Sequence, residues 1–366
     1  MTVALPSDDR PMRGRVRLRR LLGIVAAVLL ASCATPPGKA PAPATQATPG
    51  PAPAANVERA PAGARVLGRN ERLLIYQPSP GEPLEKIAER FLGSADLAWM
   101  IAEANAGQSA ESGMPLVVPL RALNPIGITT DRLQTIPILC YHRFGAGASK
   151  MVVSPTRFAA QLEWLHRNGY HVIRLSALKG FLAGRHPLPQ KSVVITIDDG
   201  YESVHRHALP LLRQYGFPAT LFVYSDFVGA GDALRWPQLQ EMANSGLIDI
   251  QAHSKTHRNL IEKAPGETDE RYRANLEAEM SIPRDVLQKR VTGAQVRHLA
   301  YPFGDANATV MESALRNGYD MGLTVVPGSN AFFAQPMLLR RTMIFGDLDL
   351  EGFKARLQTS RSLSAP

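Results

Sequence analysis

The sequence predicts an α/β domain built on a parallel sheet, doubly wound or closed as a barrel, behind a small module with strands and two helices of its own. Three observations predict it. From Ile136 onward, short apolar runs rich in β-branched residues alternate with stretches of helical periodicity. Several helical stretches end at a glycine (Gly169, Gly216, Gly246 or Gly318), as C-terminal caps do. Two of the apolar runs end in polar motifs, Thr196-Ile197-Asp198-Asp199-Gly200 and His253-Ser254-Lys255-Thr256-His257. In either architecture the chemistry belongs at the C-terminal ends of the strands.

Taken in order, residues 1–32 read as an export signal. Arg10, Arg13, Arg15, Arg17, Arg19 and Arg20 precede an apolar run from Leu21 to Leu30 that is too short to remain as a membrane span. Leu30-Ala31-Ser32-Cys33 resembles a bacterial lipobox, which implies cleavage before Cys33 and lipidation of its thiol. The expected location is the cell envelope, lipid-anchored, with Ala34 favouring the outer membrane and its periplasmic face. The formal charge of +9 includes +4 from this segment, six Arg against two Asp, and leaves only +5 elsewhere. No basic stripe suits a nucleic acid, so that class of partner is excluded. The other cysteine, Cys140, lies in an apolar run and reads as a small buried hydrophobe; with Cys33 lipidated no disulfide is expected.

Residues 33–64 are Ala, Pro and Thr with almost no large apolar side chain, and read as an extended tether. Residues 65–121 form the small module, a βααβ unit. Leu84, Ile87, Ala88 and Phe91 share one helical face, a second helix is expected from Ala95 to Ala104 with Leu97, Ile101 and Trp99 inward, and 113–119 reads as a strand. Gly81-x-x-Leu84-x-x-Ile87-Ala88, Asn105 and Gly113-Met114-Pro115-Leu116-x-Val118-Pro119 resemble a LysM module, which implies binding to N-acetylglucosamine glycans. This copy departs from that pattern at Gly81-Glu82-Pro83 and in an insertion around 108–112. A linker, 122–135, leads to the α/β domain at 136–358, and 359–366 reads as a tail. Expected strands are 136–141, 170–174, 192–197, 219–224, 247–252, 297–301 and 319–325; expected helices lie near 155–168, 202–215, 236–245, 268–290 and 307–317.

Adjacent carboxylates on an extended backbone point apart, so one of Asp198 and Asp199 can hold a cation while the other takes a proton from water. His253 and His257, four apart, can present both imidazoles on one side of a compact turn. Each motif alone has an ordinary explanation. An Asp at a strand-to-helix turn caps the helix, and nine His in 366 residues produce such a spacing by chance.

The combined order resembles the polysaccharide deacetylases of carbohydrate esterase family 4. Leu234-Arg235-Trp236-Pro237 before the histidine strand and Ala300-Tyr301-Pro302-Phe303-Gly304 after it agree. Tyr141-His142-Arg143-Phe144 resembles the opening of the subgroup that deacetylates exported poly-N-acetylglucosamine, and no histidine follows His298. The resemblance implies a distorted (β/α) barrel and a metal-dependent N-deacetylase. It further implies Asp199, His253 and His257 as ligands of a divalent metal, zinc first, with Asp198 as base and His142 as acid. It places Tyr301, Pro302, Phe303 and Trp236 along the sugar and a backbone N–H near Tyr301 at the oxyanion. Many members carry an arginine that orients the base where this chain has Ala300; Arg143, Arg340 and Arg341 are the candidates to replace it. A poly-N-acetylglucosamine-type substrate is expected first. Peptidoglycan, an O-acetylated glycan or a non-catalytic glycan-binding lipoprotein are the alternatives.

Overall fold

The computed structural model describes residues 63–105, 113–147 and 149–363. The export signal, Cys33, nearly all of the tether and the insertion around 108–112 lie outside the described residues.

The module begins with β1 (Arg65–Arg69) and β2 (Leu73–Gln77), continues through α1 (Leu84–Leu92) and α2 (Ala98–Ala104), and ends in β3 (Leu116–Pro119). The antiparallel sheet runs β1-β2-β3, one strand more than the βααβ plan. β1 escapes a reading by periodicity because it is exposed at four of its five residues. Leu74, Tyr76, Ile87, Ala88, Ile101, Leu116 and Val118 form the module's core. Asn105 closes it, with its amide donating to Ile101 O and Val117 O and accepting from Val117 N–H. That exchange replaces ladder bonds the chain loses on leaving the helix.

The segment read as a linker contains β4 (Arg132–Gln134), which pairs with the last strand, β16 (Ser360–Ser362), in the segment read as a tail. Between them run β5 (Ile136–Tyr141), β6 (Arg143–Phe144), β7 (Val152–Val153), α3 (Pro155–Arg167), β8 (His171–Val172), α4 (Leu178–Leu182) and β9 (Ser192–Ile197). There follow α5 (Leu209–Tyr215), β10 (Ala219–Val223), α6 (Trp236–Asn244), β11 (Ile248–Ala252), α7 (Asp269–Arg290) and β12 (His298–Ala300). The domain finishes with α8 (Ala308–Arg316), β13 (Met321–Leu323), β14 (Ser329–Asn330), β15 (Thr342–Met343) and α9 (Leu350–Ala355).

The main sheet follows the order β13-β12-β11-β10-β9-β5-β14, with β8 on β9 and β15 on β5. β5 and β9 to β13 are mutually parallel, and β5 and β9 are buried at every residue, as strands covered on both faces must be. The sheet curls into a distorted barrel. Its open side is bridged by residues 339–343: Leu339 pairs with Leu323 of β13, and Thr342 with Leu139 of β5. The turn before α5 is a π-helix at Val204–Ala208, next to Pro210, which has no N–H to continue an α-helical ladder.

Candidate metal centre and active site

Both motifs sit where their strands end. β9 delivers Asp198 and Asp199, and β11 delivers His253, with Asp198 N–H bonded to Tyr141 O and His253 N–H to Val223 O. Four residues other than glycine have left-handed backbones among the described residues: Asp199 (φ 74°), Ser254 (φ 67°), His257 (φ 63°) and Phe303 (φ 60°). All four lie just beyond the ends of β9, β11 and β12, where a rigid scaffold holds a conformation costing about 1–2 kcal/mol per residue. Gly200 turns at φ 88°, and a Cβ there would press on Val223 at 3.1 Å. Glycine is therefore required.

Asp199 Oδ1 lies 3.4 Å from His253 Nε2 and 3.4 Å from His257 Nε2. Tetrahedral donors about 2.0–2.1 Å from zinc stand about 3.3 Å apart, so this spacing fits a small divalent cation. His253 Nδ1 is 2.7 Å from Ala300 O; a carbonyl only accepts, so Nδ1 carries the proton and Nε2 keeps its lone pair for a metal. Burial works against a proton on His253, yet the charges of Asp198 and Asp199 raise its pKa, which shows how strongly the field here favours a cation. For Asp199, too, desolvation works upward, and the two imidazoles override it to hold the carboxyl far below its usual range.

Asp198 is arranged differently. It is buried, and Arg341 Nη1 and Nη2 donate to its two oxygens at 2.7 Å each. Arg341 is wholly buried and also donates through Nε to Thr324 O at 2.8 Å. Burial would raise the Asp198 pKa; the Arg341 charge, followed by that of His253, brings it below the ordinary value. Asp198 is thus ionised at neutral pH. His142 and Cys140 complete a second cluster around it, their donor atoms within 4.8 Å of one another and of an Asp198 oxygen. Burial lowers the His142 pKa against the pull of Asp198 and Asp199, so the ring is neutral.

The three candidate arginines separate cleanly. Arg341 is on Asp198. Arg143 instead pairs with Asp232 at 2.8 Å and lies over the Tyr201 ring at 3.6 Å, while Arg340 points outward and donates to Pro327 O. Along the bridging segment Leu339 and Arg341 are buried and Arg340 is exposed, the period of two that any extended chain imposes.

The expected sugar-facing set is corrected at Tyr301 and Pro302. Tyr301 is fully buried, its hydroxyl donates to Met337 O, and its N–H is bonded to Leu323 O. Neither its ring nor its amide is available to substrate. Pro302 is buried, whereas Trp236 is half-buried, packing on the barrel core with the Arg290 guanidinium 5.6 Å from its ring. Phe303 is 60% exposed and stands edge-on to His257 at 4.9 Å.

Three further groups that no sequence motif marks stand at the site. Cys140 is more than a hydrophobe, since its thiol donates to Asp198 Oδ2 at 3.5 Å. The Tyr224 ring lies 5.1 Å from the His257 ring. Buried Glu279, from α7, accepts from Lys255 N–H and Thr256 N–H at 2.9 Å and from the Thr256 hydroxyl at 2.6 Å, fixing the turn between the two histidines.

Residues 185–322, which span Asp198, Asp199, His253 and His257, match the family model described as polysaccharide deacetylase. Over this stretch the chain is similar to the polysaccharide deacetylases. It is 29% identical over 234 residues to the YxkH protein of Bacillus subtilis, covering 64% of this chain and 80% of that one. To the poly-beta-1,6-N-acetyl-D-glucosamine N-deacetylase of Escherichia coli it is 26% identical over 249 residues, 58% of this chain and 37% of that protein. The chain is also similar to the solved structure of IcaB from Ammonifex degensii, with a TM-score of 0.54 and 27% identity over 62% of this chain and 97% of that one.

Proposed function

We propose that this chain is a metal-dependent polysaccharide N-deacetylase that removes acetyl groups from N-acetylglucosamine units, with a poly-N-acetylglucosamine-type glycan as substrate. The observation that carries the reading is the pairing of two differently tuned carboxylates. Asp199 shares one oxygen with two imidazole nitrogens at 3.4 Å, while its neighbour Asp198, whose Oδ2 is 3.9 Å from His253 Nε2, is held on both oxygens by Arg341. The relatives named as poly-beta-1,6-N-acetyl-D-glucosamine N-deacetylases support the substrate class.

In this reading Asp199, His253 and His257 hold a divalent ion, zinc in first place. When bound, the ion lowers the pKa of a water molecule and polarises the acetamide carbonyl. Asp198 takes the proton of the attacking water, and Arg341 keeps that carboxylate ionised and aimed. His142, neutral at rest and beside Asp198, carries the proton on to the nitrogen of the leaving sugar as the C–N bond breaks. Acetate and a free amine are the products, and the proton count closes. Phe303 and Tyr224 flank His257 and offer aromatic surface to the sugar.

The lipobox ending in Cys33 supports an anchor in the envelope, and the three-stranded unit closed by Asn105 supports a LysM-like glycan-binding role for residues 65–121. The enzymatic reading is tested by acetate release from N-acetylglucosamine oligomers, with metal content measured on each protein. Asp198→Asn is expected to lose turnover and keep its metal; His253→Ala is expected to lose both. Wild type that holds metal and releases no acetate would leave a glycan-binding protein in its place.

A further inference from the structure

A cavity of about 430 Å³ lies at the seam between the module and the barrel. α2 supplies Trp99, Met100 and Glu103, the linker supplies Asn124, and the barrel supplies Leu188 and Gln190 from the segment entering β9. Asp198 and Asp199 follow the other end of that strand, roughly 20 Å away at the rise of an extended chain. The cavity is therefore separate from the metal centre.

α2 explains why these side chains are there. The module's core takes Ala98 and Ile101 from this helix and Leu97 before it. Trp99, expected inward, instead lines the seam with Glu103 one turn further on, so an indole and a carboxylate share one face. Glu103 Oε1 accepts from Gln190 N–H at 3.0 Å, which ties the module to the barrel. Among the described residues no ion pair neutralises Glu103. The cations that also line the cavity are engaged elsewhere: Arg132 with Asp131, and Lys191 with Asn168 O and the Tyr170 ring. Although Glu103 is exposed by area, desolvation at the seam raises its carboxyl pKa against the opposing pull of the Gln190 N–H.

A carboxylate lacking its cation, an indole face beside it and polar amides around the rim suit a ligand that is cationic, ring-shaped and rich in hydroxyls. The geometry points to the seam cavity as a binding site for a protonated amino-sugar unit, its ammonium on Glu103 and its pyranose face on Trp99. This deepens, and rests on, the deacetylase reading, because each turnover there converts a neutral acetamide into such an ammonium. A polymer held at the seam by units already deacetylated would keep its remaining acetylated units at high local concentration near the metal centre.

Calorimetric titration of the full chain near pH 6 with a ready-made glucosamine oligomer tests the site without turnover. Wild type is expected to bind it. Glu103→Gln, which keeps the side-chain shape, and Trp99→Ala are each expected to weaken binding at least tenfold. Both should release acetate from a short N-acetylglucosamine oligomer at the wild-type rate. Failure of wild type to bind, or equal binding by wild type and Glu103→Gln, overturns the seam site. Absence of acetate release by wild type would instead sink the deacetylase reading, and the glucosamine titration would still decide the cavity.

Discussion

At the scale of single residues, Arg341 decides what Asp198 can do. A carboxylate buried on both oxygens would ordinarily prefer its proton, and only the two 2.7 Å bonds to a planar guanidinium keep it charged. Lysine is a point donor and cannot replace that fork. Arg341→Lys is expected to lower kcat about 100-fold, as loss of acid–base function commonly does, with metal content unchanged. Removing the guanidinium also lets the Asp198 pKa rise, so the acid limb of the pH–rate profile should move to higher pH. Arg341→Ala should cost about 3–5 kcal/mol in urea unfolding, because it strands a buried charge. Full turnover with an unshifted acid limb in Arg341→Lys would show that the pair is structural only. Much of this was legible in the sequence, since the Asp pair and His pair announce themselves by spacing. The choice of Arg341 over Arg340 follows from the parity of a strand, but only once Leu339 is known to face inward. Tyr301 was misread for the opposite reason: an aromatic at a strand end looks the same in sequence whether it faces sugar or core.

At the scale of elements, the barrel strands supply rigid ends and the loops beyond them carry the left-handed residues. The turn from His253 to His257 has two such residues within five, so something outside it must hold its shape. That is Glu279, midway along the 22-residue α7, which satisfies two backbone amides and a hydroxyl of the turn. Its side chain bonds to neither candidate metal ligand and acts by positioning. Glu279→Gln keeps the size but offers a single acceptor oxygen, and is expected to weaken metal affinity about 10- to 100-fold in chelator competition. At saturating metal its kcat should approach wild type. That split separates positioning from catalysis; unchanged affinity would remove Glu279 from the site's support. No local signal in the sequence marks this residue, because a glutamate in a long charged helix reads as solvated surface until tertiary packing brings the helix beneath the turn. The same limit hid β15 and the bridging segment, whose ladders are too short for any periodicity.

At the scale of the whole molecule, alternation of strand and helix foretold the parallel run from β9 to β13, whereas closure depended on 339–343 and on the β4–β16 pair that joins the two ends of the domain. A barrel closed in this way buries polar groups at its lower end as well as at its catalytic end. His298, at the start of β12, is 4% exposed, and its Nδ1 finds no partner among the described residues. Burial lowers its pKa from 6.5 to about 4, with Asp320 pulling weakly in the other direction. The sign follows from proton counting. Between these two values the unfolded chain binds a proton that the folded chain does not, so stability rises with pH through this window and is lost as pH falls. The contribution is fully present above the unfolded value and should decline by about 2 kcal/mol between about pH 7.5 and about pH 5. Replacing the imidazole with a group that does not titrate, as in His298→Gln, should flatten that part of the curve in urea unfolding, whatever it does to stability at neutral pH. An identical slope in wild type and His298→Gln would mean that His298 titrates alike in the folded and unfolded chains, and the acid sensitivity of the barrel would have to arise from its carboxylates.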